Sequence, residues 1–289
     1  MVIGSHVAVG GGLVKVGLAE ADQIGAEIIQ LFAGNPRSWA PRAEDPAADD
    51  AFRAACANRN LPVVVHAPHL INLGAPSELV LSRSLAALEL TLRRASNLGA
   101  VAVVVHAGSS VTPGRRTTAL AALPDLISPL VDRADPAVRL LIEPTAGAGE
   151  SMASTITSTL EYLQAVGDER VGLCLDTCHL HAAGEDLADP HLIDALASTV
   201  ALIHVNDSRD PRGSHRDRHE SLDDGTIGLP ALAAFLAHPA LTDVPVLVET
   251  PTHERDVALL KNLRSERAFS VKRPSGIGVP GGRSSRTAG

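Results

Sequence analysis

The sequence predicts a single-domain α/β protein of the (β/α)8 or TIM barrel class, in which eight parallel strands alternate with helices, and three observations predict it. Eight short runs of aliphatic and β-branched residues recur along the chain. Their apolar residues are continuous and do not alternate, the pattern of parallel strands buried on both faces. Between them, apolar residues fall at three- and four-residue spacing, as in amphipathic helices. A length of 289 residues suits one such barrel. An open doubly wound sheet would use the same alternation. However, "GGG" at 10 to 12 is neither G-x-G-x-x-G nor a P-loop, so no nucleotide motif supports that alternative.

In order, the strand candidates are "MVIGSH" (1–6), "EIIQLFAG" (27–34), "PVVVHAP" (62–68), "AVVVHAG" (102–108), "RLLIEPT" (139–145), "VGLCLDT" (171–177), "VALIHVND" (200–207) and "PVLVETP" (245–251). The clearest helix pattern is "SRSLAALELTLRRASNLGA", where Leu85, Leu88, Leu92 and Ala95 share a face and Gly99 supplies the stop. Aromatic residues make up only 2% of the chain, so the core must be aliphatic. From about residue 268 the sequence turns rich in Gly, Ser, Pro and Arg without periodicity. That reads as a disordered basic tail, 268–289, behind a barrel domain, 1–267.

No apolar run reaches the length of a membrane span, and the N-terminus lacks the charged start and long apolar stretch of a signal peptide. Cys56, Cys174 and Cys178 are too few and too uneven for a disulfide framework, and read as buried thiols in a reducing compartment. A cytoplasmic location is therefore expected. The net charge of −8 argues against bulk electrostatic binding of nucleic acid.

Catalytic residues of a parallel barrel sit where strands end. Strand three ends with His66, four with His106, five with Glu143, six with Asp176, seven with His204 and eight with Glu249, spaced by about one βα unit each. Six such side chains facing one mouth would repel one another and lose hydration, strain that divalent cations would relieve. Mixed imidazole and carboxylate suits zinc or manganese. Further ligand types follow strands six and seven: His179 lies one helical turn past Asp176, and Asp217 and His219 lie two apart. His181 and His215 are expected to face solvent or to support the ligands from behind.

With these residues in place, "IGSHV", "HAPHLINL", "VVHAGS", "EPTAG", "CLDTCH", "HVNDS", "DRHESL" and "LVETP" resemble the successive signatures of the endonuclease IV family of apurinic/apyrimidinic endonucleases, from residue 2 to about 264. The resemblance implies three zinc ions in a (β/α)8 barrel, with Mn2+ also suited to one or more sites. It implies that His66 and His106 hold one ion, which Glu143 bridges to a second held by Asp176, His204 and Glu249, while His179, Asp217 and His219 hold the third. The implied reaction is hydrolysis of the phosphodiester 5′ to an abasic site in double-stranded DNA, leaving a 3′-hydroxyl. Glu143 would then stand beside the bridging nucleophile and Glu249 would orient it. Three zinc ions would bring the net charge from −8 to −2. Arg37, in "NPRSW", together with His69 and Leu70, would meet the DNA, and Arg115, Arg116, Arg209, Arg212 and Arg216 could line a phosphate track. A monomer is expected. Two positions depart from the family pattern: His69 stands where tyrosine is usual, which bears on lesion affinity, and Pro144 stands where asparagine is usual, which bears on the loop after strand five.

Two rival readings remain open at this point. Glu143, Asp176, His204 and Glu249 alone form the set that a sugar isomerase or epimerase would use with one Mn2+ or Mg2+, which leaves His66, His106, His179, Asp217 and His219 without a shared purpose. The other rival is a protein that binds lesions without turnover.

Overall fold

The computed structural model describes residues 1–41 and 43–271. β1 (Ile3–His6) leads through a π-helical turn, Leu13–Leu18, into α1 (Ala19–Ile24) and β2 (Ile29–Phe32). α2 (Pro46–Arg59), β3 (Val63–His66), α3 (Glu78–Asn97), β4 (Ala102–His106), α4 (Arg116–Arg133), β5 (Arg139–Glu143), α5 (Ile156–Val166), β6 (Gly172–Asp176), α6 (Thr177–Ala183) and β7 (Val200–His204) continue the alternation. A short antiparallel hairpin of β8 (Asp207–Ser208) and β9 (His219–Glu220) then precedes α7 (Leu229–Leu236), β10 (Val246–Val248) and α8 (His253–Val271). β1 to β7 and β10 close into one parallel barrel, with β10 paired to β7 on one side and β1 on the other. The eight predicted strands are these eight. The hairpin was not foreseen, and α8 runs past residue 267, where the sequence reading ends the domain. Of the expected tail, residues 272–289 lie outside the described residues.

Strand period two divides the aliphatic residues into two sets. One set, including Val63, Val65, Val103, Val105, Leu140 and Ile142, packs outward against the helices in the main core. The other, Ile28, Val64, Ala102, Val104, Leu141, Cys174, Leu202 and Leu247, fills the barrel interior. Gly4 belongs to that interior because a Cβ there would lie 1.6 Å from the Ile28 carbonyl oxygen. Two residues further along on the same parity stand His6, Gln30, His66, His106, Glu143, Asp176, His204 and Glu249, one for each strand of the barrel. Parallel register sets neighbours at one level, with His106 beside Glu143 and Asp176 beside His204.

The predicted helix begins earlier than its apolar pattern, at Glu78, because the Ser77 hydroxyl accepts from Val80 N–H and caps it. α2 and α3 are joined by a buried ion pair in which Arg94 Nη2 donates to Asp49 Oδ1 at 2.9 Å and Nη1 donates to Oδ2. Breaking such a pair leaves a buried charge without compensation. Arg94→Ala should therefore destabilise the fold by about 3–5 kcal/mol, and Arg94→Met with Asp49→Leu by much less. Urea denaturation of both variants at fixed zinc concentration checks this; equal losses would show that packing, not charge, dominates there.

Candidate metal centre

Glu143 lies at the middle of the barrel mouth, 1% exposed. Its Oε2 faces His66 Nε2 at 3.1 Å and His106 Nε2 at 3.3 Å, while Oε1 faces His204 Nδ1 at 3.1 Å and His179 Nδ1 at 3.5 Å. Burial opposes its charge, yet His204 and His106 hold its carboxyl well below the usual carboxylate range. Each oxygen thus looks toward a different group of histidines, as a bridging carboxylate must.

On the Oε1 side, Glu143, Asp176, His204 and Glu249 bring one donor atom each within 4.8 Å of one another. The ring of His204 is fixed by Gln30, whose Oε1 accepts from His204 Nε2 at 3.0 Å, leaving Nδ1 turned to the carboxylates. Gln30 Nε2 in turn donates to Glu249 Oε1 at 2.6 Å, and His6 Nδ1 lies 3.3 Å from the same oxygen. Asn206 Nδ2 donates to Asp176 Oδ2 at 2.7 Å, and Asn206 Oδ1 accepts from Glu249 N–H at 2.8 Å. His6, Gln30 and Asn206 were missed in the sequence. The signal for the first two was available, since His6 closes strand one and Gln30 is a lone polar residue inside the strand-two run.

The stretch "CLDTCH" is a strand end that becomes a helix start. Asp176 Oδ1 caps α6 by accepting from His179 N–H at 2.9 Å, which sets His179 one turn along on the same side. His179 Nδ1 donates to the Pro144 carbonyl at 3.0 Å. That contact uses only a backbone oxygen, so proline in place of asparagine leaves it intact. The hairpin supplies the remaining members. Buried Asp207 organises its base, accepting from the N–H groups of Ser208, Asp223, Ile227 and Gly228. Asp217 Oδ1 then lies 3.3 Å from His179 Nε2 and 3.1 Å from His219 Nε2, and His219 Nε2 lies 3.5 Å from Asp176 Oδ2.

His179 Nε2 and His219 Nε2 are both buried and have no hydrogen-bond partner among the described residues. Two orphaned imidazole nitrogens converging on one carboxylate oxygen fit a shared divalent cation. His181 and His215 stay apart from these atoms: buried His181 meets the Thr226 hydroxyl at 3.2 Å, so it does not face solvent, and His215 Nδ1 meets the Ala146 carbonyl at 3.4 Å. All three cysteines are free and buried, with Cys174 beneath Glu143 and His204, and Cys178 beside Asp217 and His219.

Around the mouth, the loop carrying Arg37 is tied to the loop after β3 by His69 N–H donating to the Pro36 carbonyl at 3.1 Å. Leu70 is half-buried beside it, while the His69 ring stands 5.3 Å from both His66 and His106. Loss of hydration, then His66 and His106, lowers its pKa to about 4. Most arginines proposed for a phosphate track already hold carboxylates: Arg116 pairs with Glu161, Arg209 with Glu220, Arg212 with Asp186 and Arg216 with Asp210. Arg37 and Arg115 pair with no carboxylate among the described residues.

A family profile described as "Xylose isomerase-like TIM barrel" matches residues 18–271. The Streptomyces avermitilis protein named "Probable endonuclease 4" is 44% identical over 278 residues, covering 91% of this chain and 90% of the relative. This chain belongs to the endonuclease IV family. The Mycobacterium tuberculosis protein of the same name is 38% identical over 270 residues, covering 90% and 98% of the two chains. In structure, endonuclease IV from Thermus thermophilus matches with a TM-score of 0.78 at 35% identity, over 94% of this chain and all of the other. A D-tagatose 3-epimerase-like protein also superposes, with a TM-score of 0.74 at 16% identity, which speaks to the barrel alone. Family membership and the several clustered ligand sets make this a metal-dependent phosphodiesterase with a multi-zinc site.

Without metal, burial opposes protonation of His179 and His219, but Asp176 and Asp217 outweigh it, lifting His179 well above its ordinary value and His219 to about 9. A group protonated below about 9 must lose its proton to bind zinc, so zinc uptake should release protons and strengthen as pH rises toward that value. Calorimetric titration of metal-free protein at about pH 7.5, in two buffers of different ionisation enthalpy, measures the release. Zero release would mean that the histidines are already neutral.

Proposed function

We propose that this enzyme incises double-stranded DNA on the 5′ side of abasic sites, leaving a 3′-hydroxyl, at three zinc ions held by nine side chains. His66 and His106 hold the first ion, and Glu143 shares it with a second that Asp176, His204 and Glu249 hold. His179, Asp217 and His219 hold the third. When bound, three dications supply an activated water, neutralise the phosphate and stabilise the leaving 3′ oxygen. The chain's part is to place them: Glu143 spans two positions from the floor of the mouth, Glu249 orients the nucleophile, and Gln30 and Asn206 keep Glu249 in register. Arg37 reaches the phosphates from the loop after β2, with Leu70 beside the lesion.

The observation that carries this reading is the pair of buried, unpartnered Nε2 atoms of His179 and His219 on either side of Asp217. A single-metal isomerase would need only Glu143, Asp176, His204 and Glu249, and would leave those three residues unexplained.

His179→Ala or His219→Ala should lower bound zinc by about one ion per chain, because loss of one of three protein ligands leaves too weak a site. Incision of an abasic duplex should fall by at least about 10²-fold while the other two ions stay. Elemental analysis of dialysed protein and single-turnover nicking test both; a His179→Ala protein with full zinc and full rate would return the isomerase reading to first place.

Arg37→Ala should weaken binding to a cleavage-resistant abasic duplex by about tenfold at low salt, with a shallower dependence on salt concentration, as expected for one lost phosphate contact. Fluorescence anisotropy across a salt series reads both quantities. An unchanged slope would place Arg37 away from the backbone.

A further inference from the structure

The side chain expected to meet DNA after strand three does not behave as a free wedge. His69 is exposed and follows His66 by three residues; the turn that carries it is closed by Ile71 N–H donating to the Pro68 carbonyl at 3.1 Å, and His69 N–H is held by the Pro36 carbonyl. The His69 ring is thereby brought over the barrel mouth. It forms a near-equilateral group with His66 and His106, with ring centroids 5.3, 5.3 and 5.2 Å apart. Phe32 stands edge-on to His69 at 5.2 Å and walls that side of the group. Each of the three histidines offers a nitrogen, and the three nitrogens lie within 4.8 Å of one another. Ligands around a tetrahedral zinc stand about 3.4 Å apart, so small side-chain rotations would close the set on one ion.

We propose that His69 is a protein ligand of the first zinc ion, joining His66, His106 and Glu143. This deepens the three-zinc reading and rests on it. Its chemical consequence is a division of labour among the sites. Three imidazoles and a carboxylate would give the first ion four protein ligands, as many as Glu143, Asp176, His204 and Glu249 give the second, whereas three ligands at His179, Asp217 and His219 leave a position for water or a phosphate oxygen. The first ion is then held more firmly than His66, His106 and Glu143 alone would hold it, and the third is the site most open to exchange with solvent. Tying His69 to metal also removes it from the DNA-facing surface, which leaves Leu70 and the Arg37 loop to meet the lesion.

The test compares the zinc-loaded full chain with its His69→Phe and His69→Cys variants. Phenylalanine keeps an aromatic ring against Phe32 but offers no donor atom, while cysteine offers a donor without the ring. Three readouts are independent of turnover: zinc per chain after dialysis, the rate of zinc loss to a coloured chelator, and the visible absorption of cobalt-loaded protein. His69→Phe should lose one ion at least about tenfold faster than wild type, since even losing a group that only orients a ligand costs about 10- to 100-fold in metal affinity. His69→Cys should restore retention, and the cobalt spectrum should differ between the variants. Three ions released from His69→Phe at the wild-type rate, with an unchanged spectrum, would overturn the ligand role alone. Faster loss that cysteine fails to restore would overturn it too, as an effect of ring packing. A wild-type chain that holds a single ion insensitive to position 69 would overturn the three-zinc reading together with it.

Discussion

A carboxylate buried in the mouth of an aliphatic barrel has to be compensated, and the architecture of this protein follows from how Glu143 is. Its neighbours are four histidines from four different elements, two on each oxygen. No local segment could supply them. Parallel register does, because closing the ring levels the strand ends, and His106 reaches Glu143 as a direct cross-strand partner. The aliphatic interior layer below, from Ile28 to Leu247, sets the height of that level and keeps water from solvating the carboxylate from beneath. Packing and chemistry are thus one construction, in which the interior residues of each strand are the platform for the residue two positions on.

The strands and the six polar residues from His66 to Glu249 could be read in the sequence because each ends a continuous apolar run. What remained hidden depends on pairing between distant segments. Gln30 sits inside its run instead of ending it, and its role emerges only when barrel closure through β1 brings β2 near β10 and β7, where its amide accepts from His204 and donates to Glu249. Asn206 similarly links Asp176 to Glu249 over thirty and forty-three residues of chain. The β8–β9 hairpin escaped notice because its strands are two residues each, and the cap at Ser77 because polar residues ahead of a helix break no periodicity.

Net charge was a poor guide to the partner for a related reason. The acids that make the chain negative are partly the proposed ligands, and others are taken up by internal pairs. Arg209, Arg212 and Arg216, which look like a basic track in sequence, are spent on Glu220, Asp186 and Asp210, where they shape the loop around the hairpin. Exposed pairs of this kind add little stability, but they fix side-chain direction. On the proposed function, contact with a polyanion would fall to positions such as Arg37 and Arg115, which have no carboxylate partner among the described residues.

The barrel and the four-residue set of Glu143, Asp176, His204 and Glu249 would serve a single-metal sugar enzyme equally well, and the 16%-identical epimerase-like structure shares the fold. What separates this chain from that possibility is built on two local devices. One is the helix cap, in which Asp176 spends Oδ1 on His179 N–H and so keeps a ligand one turn beyond the strand end. The other is the Asp207 cluster, whose four N–H donors pin the hairpin that presents Asp217 and His219. Neither device alters the barrel. Both act by satisfying backbone donors with a buried carboxylate, a local interaction strong enough to hold a loop where an imidazole nitrogen is left facing a neighbour's carboxylate with no hydrogen bond. The chemistry of this site is therefore specified less by the strands than by the first turn after each of two of them.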